Sequence, residues 1–358
     1  MAIFKIFPEK DSTIIKKTPT VNAGRDPIVN LGIDNDNPSR MLVKYSNTDL
    51  VNILNKVVED SSIQSFKTYI KYYVANASNI PTDYTVEVTP ISGSWDVGTG
   101  MQNDNINPKN GVSWDSRGTV NWDNAGGDLV DTEDTLYLNY IFTQSFQNNS
   151  NKDLTIDISP YIGRFYNSYI NVLSPHYGLL EDNGFLINIK DDLVTGSNSY
   201  NISYFSSNTH TIYPPHIEIR WNDVHYNTGS LENLEVNKLF TTNIQSDTTE
   251  FSQNTTYRFN IHSRETHPVR TFSTSSLYLE NKILPPTSYY ALYDVKADIV
   301  IIDFDEEYTK ISCDESGNFF NINMNGLQPE RYYKILIKYV LNGKSIIKNN
   351  NYIFKINK

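Results

Sequence analysis

Residues 93–124 read GSWDVGTGMQNDNINPKNGVSWDSRGTVNWDN and hold three of the chain's four tryptophans, Trp95, Trp114 and Trp122. Between them lie Gly, Asn, Asp and Pro, the formers of turns and irregular loops. Such a segment supplies neither a helix nor a regular strand. Three large rings need an apolar surface beneath them, and the rest of the chain must provide it. The expectation is a long ordered loop, pinned by its tryptophans to a β-sandwich.

The remainder of the chain is patterned for sheets. Residues 65–74 and 83–90 alternate apolar and polar positions with a period of two, and the turn at residues 80–83 makes them read as neighbouring antiparallel strands. Similar runs fall at residues 3–7, 11–15, 27–32, 40–45, 136–142, 154–158, 185–189, 200–205 and 216–221. Helical spacing occurs at Leu50, Val51, Ile53, Leu54, Val57 and Val58, so a short helix is expected over residues 48–58, capped by Thr48 or Asp49. A polar, Asn-rich stretch, residues 223–234, reads as a linker. Seven further strands follow, at residues 255–262, 268–274, 288–294, 299–305, 319–324, 332–341 and 352–355. The resulting fold is all-β, with a jelly-roll β-sandwich over residues 1–222 and an immunoglobulin or fibronectin III-like β-sandwich over residues 235–358. The Gln328-Pro329-Glu330-Arg331-Tyr332 run before a late strand supports the second assignment.

Charge and cysteine usage narrow the function classes. A net charge of −11 argues against nucleic acid as a partner, which would need a basic face. One cysteine, Cys313, excludes an internal disulfide and a cysteine-based metal site. No apolar run is long enough to span a bilayer, and MAIFKIFPEK lacks the apolar core of a signal peptide. The chain is therefore expected to be made in a cytoplasm and to use no membrane.

Several residues carry candidate chemistry. Sugar sites stack aromatic faces on sugar rings beside hydroxyl-binding Asp, Asn and Arg; Trp95, Asp96, Trp114, Asp115, Arg117 and Trp122 form such a set. The competing reading is that the same rings anchor the loop. Oxygen donors crowd at residues 34–37 and 103–105, yet neither run has the Gly and Glu of a calcium loop, and turn chemistry accounts for them. The six histidines form no metal-ligand pair, and no nucleophile elbow or phosphate loop is present. Asp303, Asp305, Glu306 and Glu307 read as a strand running into an acidic turn. No catalytic residue, metal or cofactor is expected. Pro268, Arg270, Pro285 and Pro286 are candidate subunit contacts, or edge protection.

The order of features in residues 1–222 resembles a DNRLRE-type domain, a jelly roll related to carbohydrate-binding modules. The matching pieces are Asp11-Ser12-Thr13-Ile14, then Pro19, Asn22 and Gly24, the strand at residues 40–45, Trp95-Asp96, the Gly111–Trp114 quartet, Asp157-Ile158-Ser159 taken as a strand start, and a last strand ending at Trp221. The phrases KIFPEKDSTI, SGSWDVGTG with NGVSW, PVRTFSTSSLYLENKILPPTSYYAL and LQPERYYKILIK resemble virion structural proteins of tailed bacteriophages. That resemblance implies a non-enzymatic block of the tail, neck or collar, or fibre-attachment apparatus, resident in the virion. Its partners would be other virion proteins and copies of itself. The alternative is an adhesin that binds host cell-surface polysaccharide through the jelly roll.

Overall fold

The structure, a computed structural model, describes residues 2–59, 66–104, 106–130, 140–147, 150–170, 182–190, 199–234, 239–269, 280–341 and 343–358. Strand makes up 49% of the described residues and helix 9%, so the class is all-β. The chain divides into two compact units, one of Ile6–Lys56 with Lys67–Ile219, the other of Met1–Lys5, Val57–Phe66 and Arg220–Lys358.

After β1 (Ala2–Ile6), the first unit contains β2 (Pro8–Ile15), β3 (Ile28–Asp34), β4 (Asn37–Tyr45), β5 (Phe66–Tyr72), β6 (Val74–Ser78), β7 (Asp83–Pro90), β8 (Phe142–Gln147), β9 (Leu154–Asp157), β10 (Phe185–Ile189), β11 (Tyr200–Phe205) and β12 (His216–Trp221). A large sheet runs β6-β11-β3-β4-β10-β7-β8, with β2 also paired to β4, and a smaller one includes β12-β5-β9. Tyr72 of β5 meets Tyr204 of β11 edge-on at 6.1 Å, so the two sheets face each other as a sandwich. Helix α1 (Asn47–Glu59) and helix α2 (Ser159–Ile170) belong to the same elements order; Tyr161 of α2 packs on Phe185 of β10, and Tyr166 Oη donates to Asn55 Oδ1 of α1 at 2.8 Å.

Three local expectations are corrected. The cap of α1 is Ser46, whose Oγ accepts the Asp49 N–H, rather than Thr48 or Asp49. The Asp157-Ile158-Ser159 run ends a strand and opens α2: Asp157 Oδ1 accepts the Ser159 N–H, and Pro160 takes the first turn. The runs at residues 65–74 and 83–90 are not neighbours. The first breaks at Tyr73 into β5 and β6, which pair with β9 and β11, while β7 pairs with β10 and β8. Periodicity marks which face is buried but does not choose a strand's partner. The expected strands at residues 136–142 and 268–274 fall largely outside the described residues.

The Asp34–Asn37 run is a two-residue hairpin turn. Asn35 and Asp36 both have positive φ, 48° and 63°, as a type I′ turn requires. The Asp34 carboxylate is held by Lys17 and Ser199, and these bonds pull its pKa down.

In the second unit, β13 (Phe240–Gln245), β15 (Thr256–Glu265), β19 (Gly317–Asn323) and β18 (Ser312–Asp314) form one sheet. The other runs β14 (Glu250–Ser252), β21 (Lys344–Asn357), β20 (Tyr332–Leu341), β16 (Ser288–Asp294) and β17 (Ile299–Ile302). In immunoglobulin letters the orders are A-B-E-D and A′-G-F-C-C′, with A′ parallel to G. The inner faces share one core, in which Tyr290 stacks on Phe320 at 4.2 Å and Phe320 on Phe259 at 5.5 Å. Residues 223–234, read as a linker, lie along this unit through bridges from Tyr226 to Cys313 and from Asn233 to Ile283. Cys313 is buried, and burial pushes its thiol pKa up.

The Gln328–Tyr333 turn locks the entry to β20 in two ways. The Tyr333 hydroxyl accepts the Gln328 N–H at 3.0 Å and donates to the Gln328 carbonyl at 3.2 Å, a tyrosine corner. Arg331 grips both oxygens of Asp294, with Nη2 to Oδ1 at 2.8 Å. Burial alone would raise the Asp294 pKa, but Arg331 and the N–H groups of Ala297 and Lys296 hold it below the usual range.

Asp11 is buried in the first unit with no ion-pair partner among the described residues. Asp11 of β2 is bonded to the Ser207 N–H at 2.8 Å and the Ser207 hydroxyl at 2.6 Å, and burial still pushes it up to about 6. The buried Tyr45 and Tyr72 hydroxyls lie close enough to feel it; burial first, and that charge second, raise both.

Two outcomes are expected. Tyr333→Phe should lower unfolding stability by about 1–3 kcal/mol in urea, because the Gln328 groups lose their partner. Asp11 protonates near 6 when folded and near ~3.9 when unfolded, so its penalty is full at higher pH and relieved as pH falls between those values. Wild type should therefore gain on Asp11→Asn by about 2 kcal/mol between about pH 8 and about pH 4, read from denaturation midpoints.

Candidate functional site

The tryptophan loop packs on the outer face of the large sheet. On β2, Lys10, Ser12 and Ile14 point to this face and alternate with Asp11 and Thr13; on β4 and β10 it is Leu42 and Leu186. Ile14, Leu42 and Leu186 form one cluster with Ile91, Trp95, Val112, Trp114 and Trp122. This is why Met41, Leu42 and Val43 are all fully buried: β4 has interior on both sides.

All three indoles are sealed. Trp95, Trp114 and Trp122 are 2%, 7% and 5% exposed, so none offers a face for a sugar to stack on. Trp95 Nε1 donates to the Asn183 carbonyl at 3.1 Å, and Trp122 Nε1 to the Ser113 carbonyl at 3.0 Å. Two cations lie on the rings, Lys10 over Trp95 at 4.5 Å and Arg40 over Trp114 at 4.9 Å. Burial pushes the Lys10 pKa down. The choice left open by the sequence falls to pinning.

The rest of the proposed glycan set braces the loop through its main-chain groups. The Asp96 N–H donates to the Arg117 carbonyl, and its own carbonyl accepts the Val112 N–H at 2.7 Å. The Asp115 N–H donates to the Pro19 carbonyl, and its carbonyl accepts the Trp122 N–H. The Arg117 guanidinium lies against Gly93, where a Cβ would come within 2.4 Å of Nη1. Of these three side chains only Asp96 is exposed.

What holds the loop is Asn22. It is fully buried. Its Nδ2 donates to the carbonyls of Val97 and Val112, each at 2.8 Å, and its Oδ1 accepts the Gly100 N–H at 2.8 Å. Its backbone N–H and carbonyl pair with the Asn107 side chain at 2.9 and 2.7 Å. Gly98 and Gly111 meet over this amide; a Cβ on Gly111 would lie 2.3 Å from the Gly98 Cα. At the far end Asp128 accepts the N–H groups of Asp123 and Asn124 at 3.0 and 2.7 Å. No spacing rule distinguishes Asn22 from the chain's other asparagines, so the clamp's bonds leave no mark in the sequence pattern.

The remaining candidates also have structural partners. Asp305 accepts the N–H groups of Glu307 and Tyr308, both at 2.8 Å, and Asp303 that of Phe304, so the acidic run is a capped turn. Asp104 accepts the Met101 N–H at 2.9 Å. Among the described residues no three His, Cys, Asp or Glu side chains come together as a metal site. Pro268, Pro285 and Pro286 lie on the connection between β15 and β16, with Pro286 exposed and the other two half-buried; Arg270 lies outside the described residues.

Asn22→Ala should strand two buried carbonyls and one N–H. The expected loss is about 3 kcal/mol or more, with a red shift of tryptophan fluorescence as the loop wets. Unchanged stability and emission would show that the clamp is dispensable.

No protein-family model matches the chain, and no curated protein does. Among solved structures a likeness exists to the apo form of β-glucuronidase 3 from Bacteroides uniformis, at 6% identity and a TM-score of 0.17, covering 84% of this chain and 28% of that one. The chain thus spans less than a third of that protein's length, and a likeness this slight carries no argument about fold or activity.

Proposed function

We propose that this protein is a non-enzymatic structural component of a tailed bacteriophage virion, in the tail, neck or collar, or fibre-attachment apparatus, and that it works through contacts with other virion proteins and with copies of itself. The observation that carries the assembly part is the use made of its reactive-looking residues. The three indoles are buried under cations and sheet, and the acidic run at residues 303–307 caps its own turn. Chemistry that a sugar site or a hydrolase would display is consumed in making rigid modules. The virion part rests on the sequence resemblance.

The adhesin alternative would need a different surface, because sugar stacking on Trp95, Trp114 or Trp122 would require the loop to peel off its sheet. A blank glycan array for the full chain supports assembly; tight polysaccharide binding that is lost on replacing Asp96 supports the adhesin.

Mass spectrometry and antibody labelling of purified particles test the proposal. Multiple copies per particle, at one level of the tail or neck, are expected. A chain found free and absent from particles would overturn it.

A further inference from the structure

Two phenolic hydroxyls inside the first unit have donors and no protein acceptor. Tyr45 of β4 and Tyr72 of β5 are 1% and 0% exposed. Neither Oη makes a hydrogen bond among the described residues. A phenolic O–H is a donor, and leaving it unpaired in an apolar interior is costly.

The topology brings both hydroxyls to one acceptor. Asp11 of β2 points into the sandwich and stands opposite Val43 of β4. Tyr45 lies two residues further along β4 on the same face, a diagonal neighbour within reach of a long side chain. Tyr72 enters from the facing sheet, where β5 turns Thr68, Ile70 and Tyr72 inward. Its ring meets Tyr204 of β11 edge-on at 6.1 Å, and Asp11 is bonded to Ser207, three residues past Tyr204. The Asp11 charge is felt at both hydroxyls, and Tyr45 is felt at Tyr72. Four strands thus gather one carboxylate and two phenols in the interior.

The groups match in number. A carboxylate only accepts, with room for about four hydrogen bonds, and Ser207 supplies two, from its N–H and its hydroxyl. Two donors lack an acceptor, and Asp11 has capacity left, yet no direct bond joins them. A single water has the valence to close this gap, since it accepts two hydrogen bonds and donates two. A cation suits the site less well. It would occupy the hydroxyl lone pairs and leave both phenolic protons unmatched. Hard cations also take about six or more oxygen ligands, and the three side chains offer fewer.

We propose that Asp11, Tyr45 and Tyr72 bind one ordered internal water that ties the two sheets of the first unit together. The water accepts the O–H of each tyrosine and donates to the carboxylate. It therefore joins β2 and β4 of one layer to β5 of the other. Its exchange with bulk solvent requires local opening of the sandwich. The site is independent of what the protein assembles with.

The test uses the full chain. A crystal structure that resolves waters should show one peak at about 2.7–3.0 Å from Tyr45 Oη, Tyr72 Oη and an Asp11 oxygen. In solution, oxygen-17 relaxation dispersion should count one long-lived water fewer in Tyr72→Phe than in wild type. Tyr45→Phe carries that arm if Tyr72→Phe fails to fold, and the wild-type crystal decides if both fail. A dry site, a direct bond from either hydroxyl to Asp11, or a water count unchanged in the folded variants would overturn the inference. So would an anomalous peak at the same position after a rubidium soak, because it would make the occupant a cation.

Discussion

A sheet face carrying Ile14, Leu42 and Leu186 is unstable in water, and the first unit resolves this by laying an irregular loop across it. An irregular loop brings its own difficulty, because its peptide groups have no ladder to pair with. Asn22 resolves that in turn, since one amide satisfies two carbonyls and an N–H that come from opposite limbs of the loop. Burial of the indoles depends on that amide, and burial of β4 on both sides depends on the indoles. The hydrophobic contribution is large, but it can be collected only if the polar groups above it are matched.

The second unit meets a different shortage. An immunoglobulin sandwich with a single cysteine has no cross-sheet disulfide to tie its layers. Here the tie is aromatic: Phe259, Phe320 and Tyr290 stack from one sheet to the other, and Phe354 with Tyr333 continues the column. The entry to β20 is fixed separately, by the Tyr333 corner and the Arg331 fork on Asp294. The two devices do different jobs. The stack holds the layers together, and the corner fixes where the next strand begins.

Much of this was legible in the chain. The alternation in residues 288–294 and 332–341 gives β16 and β20 with their bounds, and the Gln328–Tyr332 run points to the corner. The three tryptophans in a turn-rich stretch announce a pinned loop. Other features were not legible, for identifiable reasons. Helix α2 hid because Tyr161, Ile162, Phe165 and Tyr166 are aromatic and β-branched, types that also suit strands, although their spacing is helical. The short strands β14 and β18 have three residues each, too few to show a period. Strand partners were out of reach, as β5 and β7 show. The Asn22 clamp was invisible because its bonds go to residues 75 to 90 positions away.

The pairing of β14 beside β21 has a mechanical side. The two strands run the same way, held at Glu250–Lys355, Phe251–Ile356 and Ser252–Asn357 and extended by bonds from Lys355 to Thr249 and Gln253 to Asn357. Tension that enters ahead of β14 and leaves beyond β21 pulls these strands past each other lengthwise. Every bond between them is then strained at once, and none can give way singly as in the unzipping of a hairpin. A module wired like this resists stretch along its axis far better than its modest number of bonds suggests.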